Sequence, residues 1–164
     1  MSQVTVRPAV AAERDILIAL QWRASLANTD DRDSLLAHPD AIELPCEQIR
    51  DNAVLVAEQN GRIKGFAVVL HRDDGNIELD GLFVEPDCWR QGIGKLLVAQ
   101  CANMARRAGA RYLHVVGNPH AEQFYVACGF KTVGRQSTRF GTGLLMKHLI
   151  RDPHGHDSLL KDDK

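Results

Sequence analysis

Polar and apolar residues alternate most cleanly between positions 77 and 84, where Ile77, Leu79 and Phe83 take turns with Glu78 and Asp80. A two-residue period is that of a β-strand. It puts both carboxylates on one face, while Leu82 and Val84 make the far end of that face apolar. Pro86 cannot donate to a ladder, so pairing is expected to stop there. The chain then crosses Asp87, Cys88 and Trp89 into Arg90-Gln91-Gly92-Ile93-Gly94-Lys95. Beyond that loop the period becomes helical. Leu97, Cys101, Met104 and Ala108 predict one buried stripe on a helix that ends at Gly109.

The other segments are read in the same way. Val4 and Val6 flank Thr5 in a short first strand closed by Arg7-Pro8. A helix is predicted over 11–27 with a core stripe of Ile16, Leu20, Ala24 and Ala27. Trp22 and Arg23 lie off that stripe and either cap the surface or face a substrate groove. The polar stretch 28–49 predicts one helix, over 31–37, and then irregular chain that either walls a pocket or only connects surface elements. Val54 and Val56, the Asn60-Gly61 turn and a return strand over 63–71 predict a hairpin. A second turn at 73–76 leads into the strand at 77–84 and completes an antiparallel meander.

Residues 111–116 are apolar and rich in β-formers. Joined to 77–84 through a helix, they should lie parallel to it, which makes the sheet mixed. Asn118 suits the N-cap of another helix and Pro119 its first position. Ala121, Phe124, Tyr125 and Cys128 form that helix's apolar face, and Gly129 suits its end. Strands over 130–138 and 144–149 follow, around a long hairpin at 139–143. The expected fold class is α/β (α+β), with a mixed, mostly antiparallel twisted sheet of about six or seven strands and about four helices. It occupies a single domain over 1–150. The polar, aperiodic tail 151–164 is expected to be disordered, and His154 and His156 within it to be solvated rather than metal-bound.

Composition narrows the classes of function. The 164 residues suit one core, and 20 Lys and Arg against 21 Asp and Glu give a formal net charge of −1. Bulk electrostatics therefore do not favour nucleic acid as a partner. Cys46, Cys88, Cys101 and Cys128 form no CxxC pair, which suits reduced thiols in a cytoplasmic protein, and no zinc spacing is present. The N-terminus lacks the basic and apolar regions of a signal peptide, and no segment has the length of a membrane span, so no membrane partner is expected.

The loop at 89–95 carries the candidate chemistry. A helix start presents unpaired N–H groups and a positive dipole end, and glycines let backbone approach an anion without an intervening Cβ. Gly92 and Gly94 therefore suit a phosphate cradle, or else a plain tight turn. A Rossmann fingerprint would need a third glycine at Leu97, and a Walker A loop would need Ser or Thr at Leu96. Neither pattern fits.

The window Trp89 to Gly94 resembles the signature of the GNAT superfamily of acetyl-CoA-dependent N-acyltransferases. That signature is Gln or Arg, two residues, Gly, one residue, then Gly or Ala. Trp89 departs from it at the first position, while Arg90 and Gln91 remain able to reach phosphate oxygens. The preceding LDGLFVEPD segment and the later NPHAEQFYVACGF segment also look like their counterparts, so the similarity spans roughly 4–150.

The resemblance implies an N-acetyltransferase that uses acetyl-CoA as acyl donor, without a metal. It implies central parallel strands that splay where a bulge interrupts the first of them, with the donor's pantetheine arm in the opening. Backbone at Leu82, Phe83 and Val84 would pair with the arm, and Trp89, Arg90, Gln91, Gly92, Ile93, Gly94 and Lys95 would surround the pyrophosphate. Glu78, ahead of Asp80, would be the general base, unless it is an ordinary solvated carboxylate. Tyr125 would protonate the leaving thiolate, unless it is a core aromatic. Asn118 would contact pantetheine or serve only as N-cap. The acceptor, a small-molecule or peptide amine, stays open among an antibiotic, a polyamine, an amino acid and a protein N-terminus. A homodimer through the last strands is compatible with this pattern. A non-catalytic acyl-CoA sensor or assembly module is the alternative.

Overall fold

The computed structural model describes residues 3–138 and 141–150. The expected disorder of 151–164, its two histidines and Arg139-Phe140 at the hairpin lie outside the described residues. Among the described residues seven strands and five α-helices follow one another: β1 (Thr5–Pro8), α1 (Arg14–Leu26), α2 (Thr29–Ala37), α3 (Cys46–Arg50), β2 (Val54–Gln59), β3 (Arg62–His71), β4 (Ile77–Val84), α4 (Ile93–Arg107), β5 (Tyr112–Gly117), α5 (Glu122–Ala127), β6 (Phe130–Thr138) and β7 (Gly141–Leu149). The strands hydrogen-bond in the order β1-β2-β3-β4-β5-β7-β6. The sheet is mixed and mostly antiparallel, as the alternation predicts. Among the described residues no helix is long and apolar enough to cross a membrane.

Two compact units make up the chain. Among the described residues, the first comprises the chain through Val68 together with Gly81–Leu97, and the second Val69–Asp80 together with the chain from Val98 on. In the first, β2 pairs antiparallel with β1 and with β3. The β2–β3 turn places Asn60 at φ 56° and Gly61 at φ 75°. Left-handed backbone at both turn residues is the geometry whose twist matches a two-residue hairpin, and Asn-Gly supplies it at least steric cost. The core gathers Leu17, Leu20 and Ala24 of α1 against Val54 and Val56 of β2 and Phe66 and Val68 of β3. Phe83 packs against this cluster, its ring centroid 5.2 Å from that of Phe66.

The α1 register differs from expectation. Its buried stripe is Leu17, Leu20 and Ala24, whereas Ile16 is 53% exposed and Ala27 is an exposed C-cap. Ile16 and Leu17 are adjacent apolar residues about 100° apart around the helix, and either continues the row through Leu20. Packing selects Leu17. Helix entry is also later, because Ala11–Glu13 forms a 3-10 turn. There the Glu13 carboxylate accepts from the Val10 N–H and pairs with Arg7, which also reaches Glu58. The short α3 falls in the stretch read as irregular. It buries only Ile49, so it leaves no periodic signature.

In the second unit, β4 and β5 pair in parallel through Ile77↔Leu113, Glu78↔His114 and Leu79↔Val115. β7 lies between β5 and β6, antiparallel to both, with a register shift at Thr132/Gly134 in β6. β5 runs one residue past its expected end at 116, Gly117 pairing with Leu144. β7 likewise begins at Gly141, ahead of the expected 144.

Along α4 the buried residues are Ile93, Leu97, Val98, Cys101, Ala102 and Ala105. Met104 is only half-buried and Ala108 is exposed, so the predicted single stripe is corrected at both positions. Burial follows two adjacent i, i+4 rows, 97/101/105 and 98/102. The helix ends at Arg107, and Gly109, with φ 78°, takes the left-handed position just beyond its cap.

Candidate functional site

The first group of candidate residues sits where β4 gives way to α4. β3 and β4 approach closely here: a Cβ on Gly65 would stand 2.9 Å from the Phe83 carbonyl and 3.3 Å from Leu97 and Val84 side-chain carbons. Only glycine permits that approach. The Glu85 N–H donates to the Lys64 carbonyl at 2.9 Å, and Pro86–Cys88 then forms a 3-10 turn. Arg23, which the sequence assigned to surface or groove, extends from α1 and donates to both carboxylate oxygens of Glu85, one bond being 3.0 Å.

After the turn the backbone is unusual. Arg90 adopts φ 67° and Gly92 φ 86°, two left-handed residues within three positions. A non-glycine residue in that region carries strain of roughly 1 kcal/mol. Such reversals turn successive N–H groups toward one side and form anion-binding concavities. α4 starts directly afterwards, the Leu96 N–H donating to the Gly92 carbonyl at 3.0 Å. Trp89, Arg90, Gln91, Gly92 and Lys95 are exposed and Gly94 is half-buried. A Cβ added at Gly92 would meet nothing within 4 Å, so the loop opens onto free space there.

Ile93 is 2% exposed, and its side chain belongs to the core. Its contribution to the cradle is backbone alone. Phe83 likewise turns its ring inward, close under Gly81, where a Cβ would lie 2.7 Å from the ring. Leu82 and Val84 are half-buried.

The remaining candidates belong to the second unit. Glu78 is half-buried and accepts a 3.4 Å hydrogen bond from Arg72, which also pairs with Asp74 at 3.1 Å. A groove of about 420 Å³ is lined by Leu70 to Asp74 together with Glu78. Asp80 differs: its side chain reaches solvent, yet surrounding protein removes enough water to push its carboxyl above the ordinary value. Asn118 caps the turn Pro119–Ala121, its side-chain oxygen accepting from the His120 N–H at 2.9 Å.

Tyr125 is 8% exposed and meets the rings of Phe124 and Phe130 edge to face, at 5.1 and 5.4 Å. A Cβ on Gly117 would lie 3.2 Å from the Tyr125 ring, so that glycine leaves the ring its room. Burial raises the phenol's pKa well above its usual value, with Cys128 and Cys101 adding to the shift. The hydroxyl therefore keeps its proton throughout the neutral range and is available as a donor.

Sequence reasoning missed Arg72, the partner of Glu78, and His114. The His114 ring stacks obliquely with Tyr112 at 6.0 Å, and burial depresses its pKa. Its Nε2 is the one buried side-chain nitrogen or oxygen without a partner among the described residues. A lone histidine in an alternating strand carries no signal that would single it out. Among the described residues no group of three or more His, Cys, Asp or Glu side chains is arranged to hold a metal ion.

A strand, a loop with two left-handed residues and an open helix start form the constellation that the GNAT resemblance led us to expect. Residues 18–130 match the sequence profile of the acetyltransferase (GNAT) family. The chain belongs to that family. Among GNAT relatives, the peptidyl-lysine N-acetyltransferase YjaB of Salmonella typhimurium is 31% identical over 134 residues, covering 80% of this chain and 86% of that protein. An uncharacterized N-acetyltransferase of Mycobacterium tuberculosis is 32% identical over 92 residues, 54% of this chain and 59% of the relative's length. This GNAT chain thus spans less than two thirds of that relative. The fold is that of the PaiA N-acetyltransferase of Thermoplasma acidophilum, solved in complex with coenzyme A. The TM-score is 0.71 at 19% identity, over 90% of this chain and 99% of the other.

Proposed function

We propose that this GNAT protein transfers an acetyl group from acetyl-CoA to the amine of a small molecule or peptide. The observation that carries the reading is the open loop at Trp89–Lys95, with left-handed backbone at Arg90 and Gly92 directly before α4. Acetyl-CoA supplies the activated acyl group and an anionic pyrophosphate. Backbone N–H groups from Arg90 to Lys95 meet that pyrophosphate, and the α4 dipole adds to the attraction. Backbone groups at Leu82 to Val84 pair with the amides of the arm in the manner of an added strand, beside the Val84 carbonyl that already accepts from Trp89.

The acceptor must arrive as a neutral amine. Glu78 takes its proton directly or through one water, while Arg72 orients the carboxylate. The Leu82 N–H or a neighbouring one stabilises the charge that develops on the carbonyl oxygen. As the carbon–sulfur bond breaks, Tyr125 returns a proton to the sulfur. Its phenol is protonated at neutral pH, so the proton is there to give. Asp80 is the second candidate base. In its favour is the upward shift of its carboxyl, toward the pH at which a general base works best.

Membership of the family and the name of the Salmonella relative support a lysine-bearing peptide as one acceptor class. Four cysteines with no CxxC pair support a reducing, cytoplasmic setting.

The test is calorimetric titration of coenzyme A into the parent, Gly92→Ala and Gly92→Asp proteins. Gly92→Ala carries only the strain of a Cβ at φ 86°. Gly92→Asp adds bulk and negative charge in the phosphate space, so its affinity should fall at least about 100-fold. Undiminished affinity in a folded Gly92→Asp protein would remove the cradle from the account.

A further inference from the structure

Trp89 combines exposure with a fixed orientation. The residue is 46% exposed, yet its indole N–H donates a 2.9 Å hydrogen bond to the Val84 carbonyl. The 3-10 turn Pro86–Cys88 folds the loop back on itself, so the ring returns to the end of β4. Arg90 then takes its left-handed conformation and the chain enters the cradle. The indole therefore stands at the junction between the strand end and the start of α4. An aromatic ring held in place while much of it faces water loses little entropy when a ligand covers it.

On the reading above, the donor's amides pair along Leu82–Val84 and its pyrophosphate meets the backbone from Arg90 to Lys95. Between those two parts coenzyme A carries a branched carbon segment with two geminal methyl groups. That segment offers apolar surface to a protein backbone and no charge. The family pattern of Gln or Arg at this position would present it with a polar group, whereas this chain presents an aromatic face.

We propose that Trp89 is the residue that recognises the geminal-methyl segment of the acyl donor, its ring covering the methyls while its N–H holds the ring against Val84. The inference rests on the donor reading and goes further. It makes this chain distinguish a complete coenzyme A from its nucleotide half by apolar contact.

The two tryptophans of the chain are Trp22 and Trp89, so in Trp22→Phe, excited where tyrosine does not absorb, Trp89 is the sole emitter. The probes are coenzyme A and 3′-phospho-ADP, which keeps the pyrophosphate and lacks the branched arm. Coenzyme A should shift Trp89 emission to the blue as methyl groups replace water, and 3′-phospho-ADP should bind with little shift. Trp89→Ala should weaken coenzyme A about tenfold and 3′-phospho-ADP less than about twofold. Trp89→Phe keeps an aromatic face and should weaken coenzyme A only about threefold.

Equal weakening of both ligands would make Trp89 a brace of the loop and overturn the inference, as would undiminished coenzyme A affinity in Trp89→Ala. If Trp89→Ala fails to fold, the emission titration decides alone: binding of coenzyme A with unchanged emission overturns the inference and leaves the donor reading standing. Binding of neither ligand by the parent overturns both.

Discussion

On the proposed reading, the loop Trp89–Lys95 and the side chains of Glu78, Asp80 and Tyr125 would do their work with different materials. The loop relies on main chain: Arg90 and Gly92 hold left-handed φ, Gly92 faces open space, and Ile93 sends its side chain into the core. Its chemistry survives many side-chain changes provided the backbone path is kept. The second group depends on side chains whose properties are set by neighbours. Arg72 engages Glu78, loss of water lifts Asp80, and burial among Phe124 and Phe130 holds Tyr125 protonated. Backbone chemistry is fixed by local sequence and side-chain chemistry by packing, so mutations should separate donor affinity from turnover.

The largest separation is expected at Tyr125. Tyr125→Phe keeps the ring between Phe124 and Phe130 and removes one hydroxyl. With chemistry rate-limiting, kcat should fall on the order of 100-fold while coenzyme A affinity stays within about twofold. Parental turnover in that variant would make Tyr125 a packing residue and break the contrast on its stronger side.

The carboxylates offer a sharper and smaller test through pH. Glu78→Gln should lower turnover roughly tenfold or more and remove the rising limb of the pH–rate profile, while donor affinity persists. For Asp80 the sign is distinct. Its folded pKa is raised, so it holds its proton to higher pH than an ordinary carboxyl and becomes a base only above that range. If Asp80 is the base, the rising limb lies above the usual carboxylate range, disappears in Asp80→Asn and survives in Glu78→Gln.

The smallest effect is expected from Gly117→Ala. Its new Cβ would stand 3.2 Å from the Tyr125 ring and push it by a few tenths of an ångström. Turnover should drop only about two- to fivefold, with coenzyme A titrations unchanged, because positioning errors cost rate before they cost binding elsewhere. A loss of donor affinity here would show that the two regions are not separable.

The same contrast explains what the sequence made legible. Pro86, Gly92, Asn60-Gly61 and Asn118-Pro119 act through their own backbone preferences, so the loop into α4, the hairpin and the cap were visible as short motifs, whereas Gly94 lies inside α4. The choice of Leu17 over Ile16 was not, since both satisfy a helical row and only the facing strands decide. The exposed Ala108 has the same origin, in a helix that ends one residue earlier than its apolar pattern. Nor was the Arg72–Glu78 pair legible, because it depends on how the β3–β4 turn folds back. His114 and α3 left no periodic mark at all.

The central claim is that the donor loop serves acetyl transfer to an amine rather than retention of an acyl-CoA. It is tested most directly by following free thiol released from acetyl-CoA, with the acetylated product weighed by mass spectrometry, across a panel of amines that includes lysine peptides and polyamines. The account predicts that at least one amine accelerates thiol release saturably, with one acetylated amine formed per thiol, and that Gly92→Asp abolishes it. Tight acetyl-CoA binding with no amine raising thiol release above the amine-free rate would contradict it and leave an acyl-CoA sensor in its place.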